Sequence, residues 1–217
     1  MGMKVYKTTL IISVIIFLLL AITSTVLNFF NLPNRNWISF FINWSVGIGC
    51  STVVVIVTTL IQYRIEQDRL INKCADCLRG LFFHNSFFGS LFNDDCIRND
   101  YTANVLDKIE NNWRKSIETD NEKLMEYLNQ LEFISKSNQK VLLELSKTSY
   151  FLQISFISKE DCSHEKIEEI LKREYEKITS DIISMSEKLL KFNISKFNRD
   201  EISKFVKQIN QSENCWV

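Results

Sequence analysis

The chain has 217 residues, 46% of them hydrophobic, with 26 basic against 26 acidic side chains, five glycines and a single proline. The charges are unevenly placed: residues 1–63 hold only Lys4, Lys7 and Arg35, and the remaining 154 hold 23 basic and 26 acidic residues. That split excludes a single globular core, and the slightly acidic longer part excludes a basic nucleic-acid-binding protein.

Thr8 to Phe30 is a run of 23 uncharged residues and Trp37 to Tyr63 a run of 27, separated by Asn31-Leu-Pro-Asn-Arg-Asn36. A helix rises about 1.5 Å per residue and needs roughly 20 apolar residues to cross a hydrocarbon core of about 30 Å, so both runs are long enough. The expectation is a transmembrane hairpin over residues 1–63, with spans at about 8–30 and 38–62 and the lipid bilayer as its surroundings. Pro33 and the neighbouring asparagines suit its turn. Basic residues resist translocation. Lys4 and Lys7 precede the first span and Arg64, Arg69, Lys73 and Arg79 follow the second, against Arg35 alone in the turn. This asymmetry predicts a multi-pass protein of the inner cell membrane with both termini cytoplasmic. A cleavable signal peptide is the competing reading of the first run. Its length, and a second span following at once, argue against cleavage.

Neither span contains Asp, Glu, Lys, Arg or His, so the usual markers of proton relays and voltage sensing are missing. The second span is nevertheless polar on one side. At about 100° per residue, Asn43, Gly47, Cys50, Ser51, Thr58 and Gln62 fall within an arc of roughly 120°, shared with Val54 and Ile61. Gly47 with Ser51, and Ser45 with Gly49, are small-xxx-small pairs that permit close helix approach, and Asn43 and Gln62 are suited to hydrogen bonds between helices. Two compatible roles follow for Asn43, Gly47, Ser51, Thr58 and Gln62: membrane packing, or lining a narrow pore in a homo-oligomer.

Residues 64–217 read as a cytosolic α-helical domain, making the fold all-α. After Gly89 there is neither Gly nor Pro for 128 residues, which disfavours hairpins and turn-rich folds. The second span is expected to continue as a helix as far as Gly80. Leu81–Phe92, with five phenylalanines, is too short to span; it could pack as core or lie in the membrane interface, and core is favoured because it has no basic face of its own. Val105 or Leu106, Ile109, Trp113 and Ile117 mark a third helix, with a restart at the capping-box pattern Thr119-Asp-Asn-Glu122. Val141–Ile157 reads as a central, largely buried helix. Asp161 or Ser163 is expected to cap a long helix over 164–192, whose heptad-like stripe Ile167, Ile170 or Leu171, Tyr175, Ile178, Ile182, Met185 and Leu189 also permits self-association. Asn198-Arg-Asp-Glu201 suggests a cap for a last short helix.

Chemical motifs are scarce. Cys74-Ala-Asp-Cys77 has zinc-ligand spacing, with Cys96, Cys162, His84 and His164 as conceivable partners, but it lies in a continuous helical pattern without a knuckle glycine. Reduced, buried thiols are the expectation, with no metal and no cofactor. With two histidines and no GxSxG, phosphate-binding glycine loop or HExxH, the common catalytic signatures are absent. The paired carboxylates Asp94 and Asp95 read as solvated or capping groups. The expectation is a non-enzymatic protein that binds another protein through its cytosolic helices and binds no nucleic acid.

The Lys/Asn/Ile/Phe/Ser-rich composition is that of an AT-rich bacterial genome. In that setting Asn43-Trp-Ser-Val-Gly-Ile-Gly-Cys-Ser51, leading to Ile61-Gln-Tyr-Arg-Ile-Glu-Gln-Asp-Arg-Leu70, resembles bacterial two-span effector proteins with a helical cytosolic domain, including the SLATT-type domains. The likeness covers about residues 8–80 and carries over no catalytic or ligand residue. It implies an antiphage-defence effector that disrupts the membrane when activated. The alternative is a membrane-tethered scaffold whose hairpin is only an anchor.

Overall fold

In the computed structural model every described element is a helix: α1 (Met3–Phe29), α2 (Arg35–Asn93), α3 (Ala103–Gln130), α4 (Lys136–Phe151), α5 (His164–Leu189) and α6 (Lys196–Glu213). The structure describes residues 3–29, 35–93, 103–131, 136–152, 164–192 and 196–213. The chain divides into two compact units, Met1–Gln67 and Asp68–Val217.

α1 and α2 each hold a stretch long and apolar enough to cross a membrane, within Val5–Leu27 and within Trp37–Leu91, and the uncharged part of the latter is Trp37–Tyr63. The core helix of a soluble protein has the same composition but is mostly buried, whereas 6% and 11% of these two apolar windows are buried. Ile11, Ile15, Leu18, Leu19 and Ile22 of α1 and Phe40, Val54 and Ile61 of α2 are all exposed. Large exposed apolar patches of this kind mark surfaces that contact a membrane or another protein. The covered edge of α2 runs through Ser45, Ile48, Gly49, Thr52, Ile56 and Thr59, at the spacing of three, four and seven that defines one helix face. On α1 the covered positions are Tyr6, Thr9, Leu10, Ser13, Leu20, Ser24 and Leu27.

The second unit is a helical assembly around a conventional apolar core. The rest of α2 contributes Leu70, Ile71, Cys74, Leu78, Leu81 and Phe88; α3 contributes Trp113, Ile117, Leu124 and Leu128; α5 contributes Ile178, Ile182, Met185 and Leu189; α6 contributes Ile202, Phe205, Val206 and Ile209. Each such side chain contributes roughly 1.5–3 kcal/mol by leaving water. Polar links fix the register. Asn85 of α2, fully buried, donates to Thr179 Oγ1 at 2.8 Å and the Tyr175 carbonyl at 3.1 Å on α5, and accepts from Trp113 Nε1 on α3 at 3.1 Å. Asn121 of α3 donates to the Ser149 carbonyl of α4 at 2.8 Å and accepts from the Ser149 hydroxyl. Lys188 of α5 donates to Thr148 of α4 at 3.0 Å.

Several expected boundaries are corrected. α2 does not stop at Gly80; it runs through Gly80 and Gly89 to Asn93. Both glycines serve close approach instead. A Cβ on Gly80 would lie 2.8 Å from Asp120 Oδ2, and one on Gly89 would lie 2.5 Å from Tyr175 Cε2. The Thr119–Glu122 pattern starts no helix, because α3 is continuous there and the Thr119 hydroxyl donates back to the Lys115 carbonyl at 2.8 Å. α4 is not buried all round: Leu142, Leu145 and Ser149 face the core, whereas Leu143 and Tyr150 are exposed. The stripe of α5 is spent on its own unit, with Ile178, Ile182, Met185 and Leu189 each at 0% exposure, so it is not a free self-association seam. Asn198 lies inside α6, which begins at Lys196, and its side chain is buried. Asp161, Ser163 and residues 153–157 lie outside the described residues, as do Asp94 and Asp95.

Candidate functional site

The polar side of the second apolar run is not the most covered edge of α2, although three of its residues line a groove shared with α1. Taking Ser45 as the centre of the covered edge, Asn43, Gly47, Ser51, Thr58 and Gln62 lie about 100–160° around the helix, by the ~100° advance per residue. All five are exposed. A Cβ built on Gly47 meets nothing within 4 Å, as is also true at Gly49 on the more covered edge. The small-xxx-small pair Gly47/Ser51 is therefore not used for packing within one chain. Gly49 has equally open space, so the close contact expected of Ser45/Gly49 is not made there either, although Ser45 itself is buried.

Two open grooves flank the covered edge. One, of about 490 Å³, is lined by Asn43, Trp44, Gly47, Ile48, Ser51, Thr52 and Val55 of α2 together with Ser13 and Ile16 of α1. It gathers three of the five expected residues, Asn43, Gly47 and Ser51. Thr58 and Gln62 lie outside it, farther along the same exposed side. The other groove, of about 220 Å³, runs between Phe17, Leu20, Ala21 and Ser24 of α1 and Ser45, Val46, Gly49, Cys50 and Val53 of α2. Ser13 was not singled out from the sequence. Its signal was there: it is the sole polar residue between Thr9 and Thr23. In the structure it is buried against the first groove.

The hydroxyls on and near this face are satisfied locally. Ser51 donates to the Gly47 carbonyl at 3.0 Å, Thr52 to Ile48 at 2.8 Å and Thr58 to Val54 at 2.9 Å. Such bonds one turn back remove the cost of a lone hydroxyl in hydrocarbon while leaving its oxygen as an acceptor. The carboxamides differ. Neither Asn43 nor Gln62 makes a hydrogen bond among the described residues, and each offers two donors and an acceptor. An unpaired amide in an apolar medium costs several kcal/mol on the scale of about 4–8 kcal/mol for transfer from water to cyclohexane, so these groups are poised for a partner outside the single chain.

The cysteine motif takes a different form from a ligand pair. Cys74 is fully buried and Cys77 half-buried on the unbroken α2. Burial pushes the Cys74 thiol up. Cys77 is pushed up to about 11 by burial first, and then by the carboxylates of Asp120 and Asp76, against the opposing Lys123 and Lys73. His84, one of the conceivable co-ligands, pairs its Nδ1 with Asp120 Oδ2 at 3.0 Å. Among the described residues no three His, Cys, Asp or Glu side chains gather as a metal set. Cys96, Cys162 and the His164 side chain lie outside them. In these surroundings both thiols are held in the protonated form at neutral pH. No known protein family, curated protein or solved structure matches the chain.

Proposed function

We propose that the chain is a non-enzymatic integral membrane protein. Its two apolar helices form a transmembrane hairpin with both termini in the cytoplasm, and its hairpins assemble into an oligomer that permeabilises the membrane. The remaining helices form the cytosolic domain, which binds a protein partner and sets when that assembly opens. A bacterial inner membrane and a defence-type effector role follow from the composition and from the resemblance to two-span effectors.

The observation that supports this reading is the separation of two edges on α2. One edge, through Ser45 and Thr59, is the more covered within the chain; the other carries Asn43, Gly47, Ser51, Thr58 and Gln62, all of them exposed. A helix that only anchors a domain gains nothing from exposing two carboxamides and a glycine to lipid. In a parallel ring each copy offers the same amide at the same depth, and an interhelical hydrogen bond of this type contributes roughly 0.6–2 kcal/mol. Basic residues flanking the hairpin on one side support the orientation.

The back-bonded hydroxyls of Ser51 and Thr58 favour one second reading, in which the hairpin tolerates lipid all round and anchors a scaffold. Reconstitution of the full chain into vesicles separates the two. The pore reading requires dye or ion leakage that depends on protein density, and retention of function after exchange for an unrelated two-span anchor supports the scaffold.

A further inference from the structure

The first turns of α2 carry a row of aromatic rings that the chain leaves uncovered. Trp37, Phe40, Phe41 and Trp44 stand at the spacing of three, four and seven that places them on one side of the helix, and all four are exposed, Trp37 by 63% and Trp44 by 59%. Neighbouring rings meet edge to face, Trp37 on Phe40 with centroids 6.3 Å apart and Phe40 on Phe41 at 6.0 Å. Neither indole N–H makes a hydrogen bond among the described residues, so each keeps a donor to offer. α2 opens at Arg35, and its next charged residue is Arg64, which is exposed.

We infer that this aromatic row binds the headgroup and ester layer of the lipid leaflet on the side of the hairpin turn, so that the part of α2 immersed in hydrocarbon is 44–63 and not the whole uncharged run. The inference rests on the transmembrane hairpin proposed above. Three features select this occupant. The first is length. At about 1.5 Å per residue, Trp37 to Tyr63 measures about 39 Å, well over a hydrocarbon core of about 30 Å, whereas Trp44 to Tyr63 measures about 29 Å. With Tyr63 and the exposed Arg64 at one boundary, Trp44 falls at the other. Phe40, Phe41 and Trp37 then fall about 5 to 10 Å beyond it, in the layer between hydrocarbon and water. The second feature is chemistry. An indole has an apolar body and an N–H at its rim, which matches a layer offering chain tops beside ester and phosphate oxygens. The third is charge: Arg35, two residues before Trp37, is costly in hydrocarbon and so holds this end of the helix at the surface. Lipid reaches any uncovered side of a spanning helix at this depth, so no protein is needed to cover the row.

The test measures tryptophan depth for the full chain in vesicles, by fluorescence quenching from lipids brominated near the top of the acyl chains or near their ends, and from a nitroxide on the headgroup. Trp113 stays in every form, because it is fully buried in the second unit and out of reach of these labels. Trp37→Phe with Trp216→Phe reports Trp44, and Trp44→Phe with Trp216→Phe reports Trp37. All three replacements together with Leu19→Trp, at an exposed mid-span position of α1, report the middle of the bilayer. Equal helix content by circular dichroism verifies that each form is folded. The expected result is that bromines near the chain tops quench Trp44 at least twofold more than those near the chain ends, that the headgroup nitroxide quenches Trp37 most, and that Leu19→Trp shows the reverse order from Trp44. Trp44 quenched as deeply as Leu19→Trp overturns the inference, because the row then lies in hydrocarbon, and leaves the hairpin standing. Trp37 and Trp44 both silent to every lipid label while Leu19→Trp responds overturns the lipid occupant in favour of a protein. Silence from all three positions overturns the hairpin itself.

Discussion

Trp113 donates its indole N–H to Asn85 Oδ1 at 3.1 Å, joining α3 to α2 through two fully buried side chains. Because the Asn85 amide is simultaneously bonded to the Tyr175 carbonyl and Thr179 on α5, one carboxamide holds three helices at a fixed register. Apolar side chains at this point would bury as much surface but would not prescribe which residues meet.

Asn85→Ala should therefore destabilise the second unit by about 2–4 kcal/mol, from a buried indole donor left unpaired and a small cavity. Urea unfolding of the full chain in detergent, followed by circular dichroism, reads this. Trp113→Phe in the Asn85→Ala background should cost less than in the wild type, because the donor it removes is already orphaned.

The glycines of α2 should separate by location. Gly89→Ala forces a methyl to within 2.5 Å of the half-buried Tyr175 ring, with two further ring atoms at 2.9 and 3.1 Å, so the ring or its helix must move. A loss of about 1–3 kcal/mol is expected. Gly80→Ala meets only the end of the Asp120 side chain, so the carboxylate rotates and the His84 contact is what suffers. Its stability cost should be clearly smaller, and a comparison of the two midpoints in urea checks the order.

Much of the helical architecture was legible because it depends on periodic burial, which a sequence displays directly. Trp113, Ile117, Leu124 and Leu128 lie on one face of α3 as their spacing requires. Other features were hidden because one residue type serves two ends. Gly80 and Gly89 read as breakers, since a helical glycine costs roughly 1 kcal/mol relative to alanine. Nothing local shows that a carboxylate and a tyrosine ring from distant helices occupy the space of their missing side chains. Thr119 reads as a cap because the same hydroxyl bonds a free amide at a helix start and a carbonyl one turn back in a helix interior. The outward side of α2 in the first unit was visible as a stripe, but whether Gly47 or Gly49 faced α1 depended on a partner helix whose rotation the sequence leaves open. That Phe83 and Phe87 are exposed while Phe88 packs as core was hidden among neighbours of identical type.

Cys77 should be a poor nucleophile at neutral pH. With its thiol pushed up to about 11, alkylation by iodoacetamide should be slow at pH 8 and rise about tenfold per pH unit toward that value, since the thiolate alone reacts. The linkage sign follows. The folded state keeps a proton that the unfolded thiol releases near its ordinary 9.0, so this group's contribution to stability is complete below pH 9 and is lost as the pH rises toward 11. Mass spectrometry of tryptic peptides after timed alkylation at pH 8 and pH 10 measures the rate directly.

Asn43→Leu should weaken hairpin association about three- to thirtyfold, matching the roughly 0.6–2 kcal/mol of one interhelical hydrogen bond, while Asn43→Gln retains part of it. Energy transfer between labelled copies at graded protein-to-lipid ratios provides the affinity.

The central claim is that the outward side of α2 in the first unit serves a neighbouring copy and not its own chain. A single chain has open space for a side chain at Gly47, and Ser51 is exposed, so Gly47→Leu with Ser51→Leu should leave the isolated fold intact. The decisive measurement is the membrane potential of cells overproducing either form, with equal insertion verified in the membrane fraction. Depolarisation by the wild-type chain, abolished in the double variant, is the predicted result. Equal depolarisation by both forms, or none by either, would contradict it.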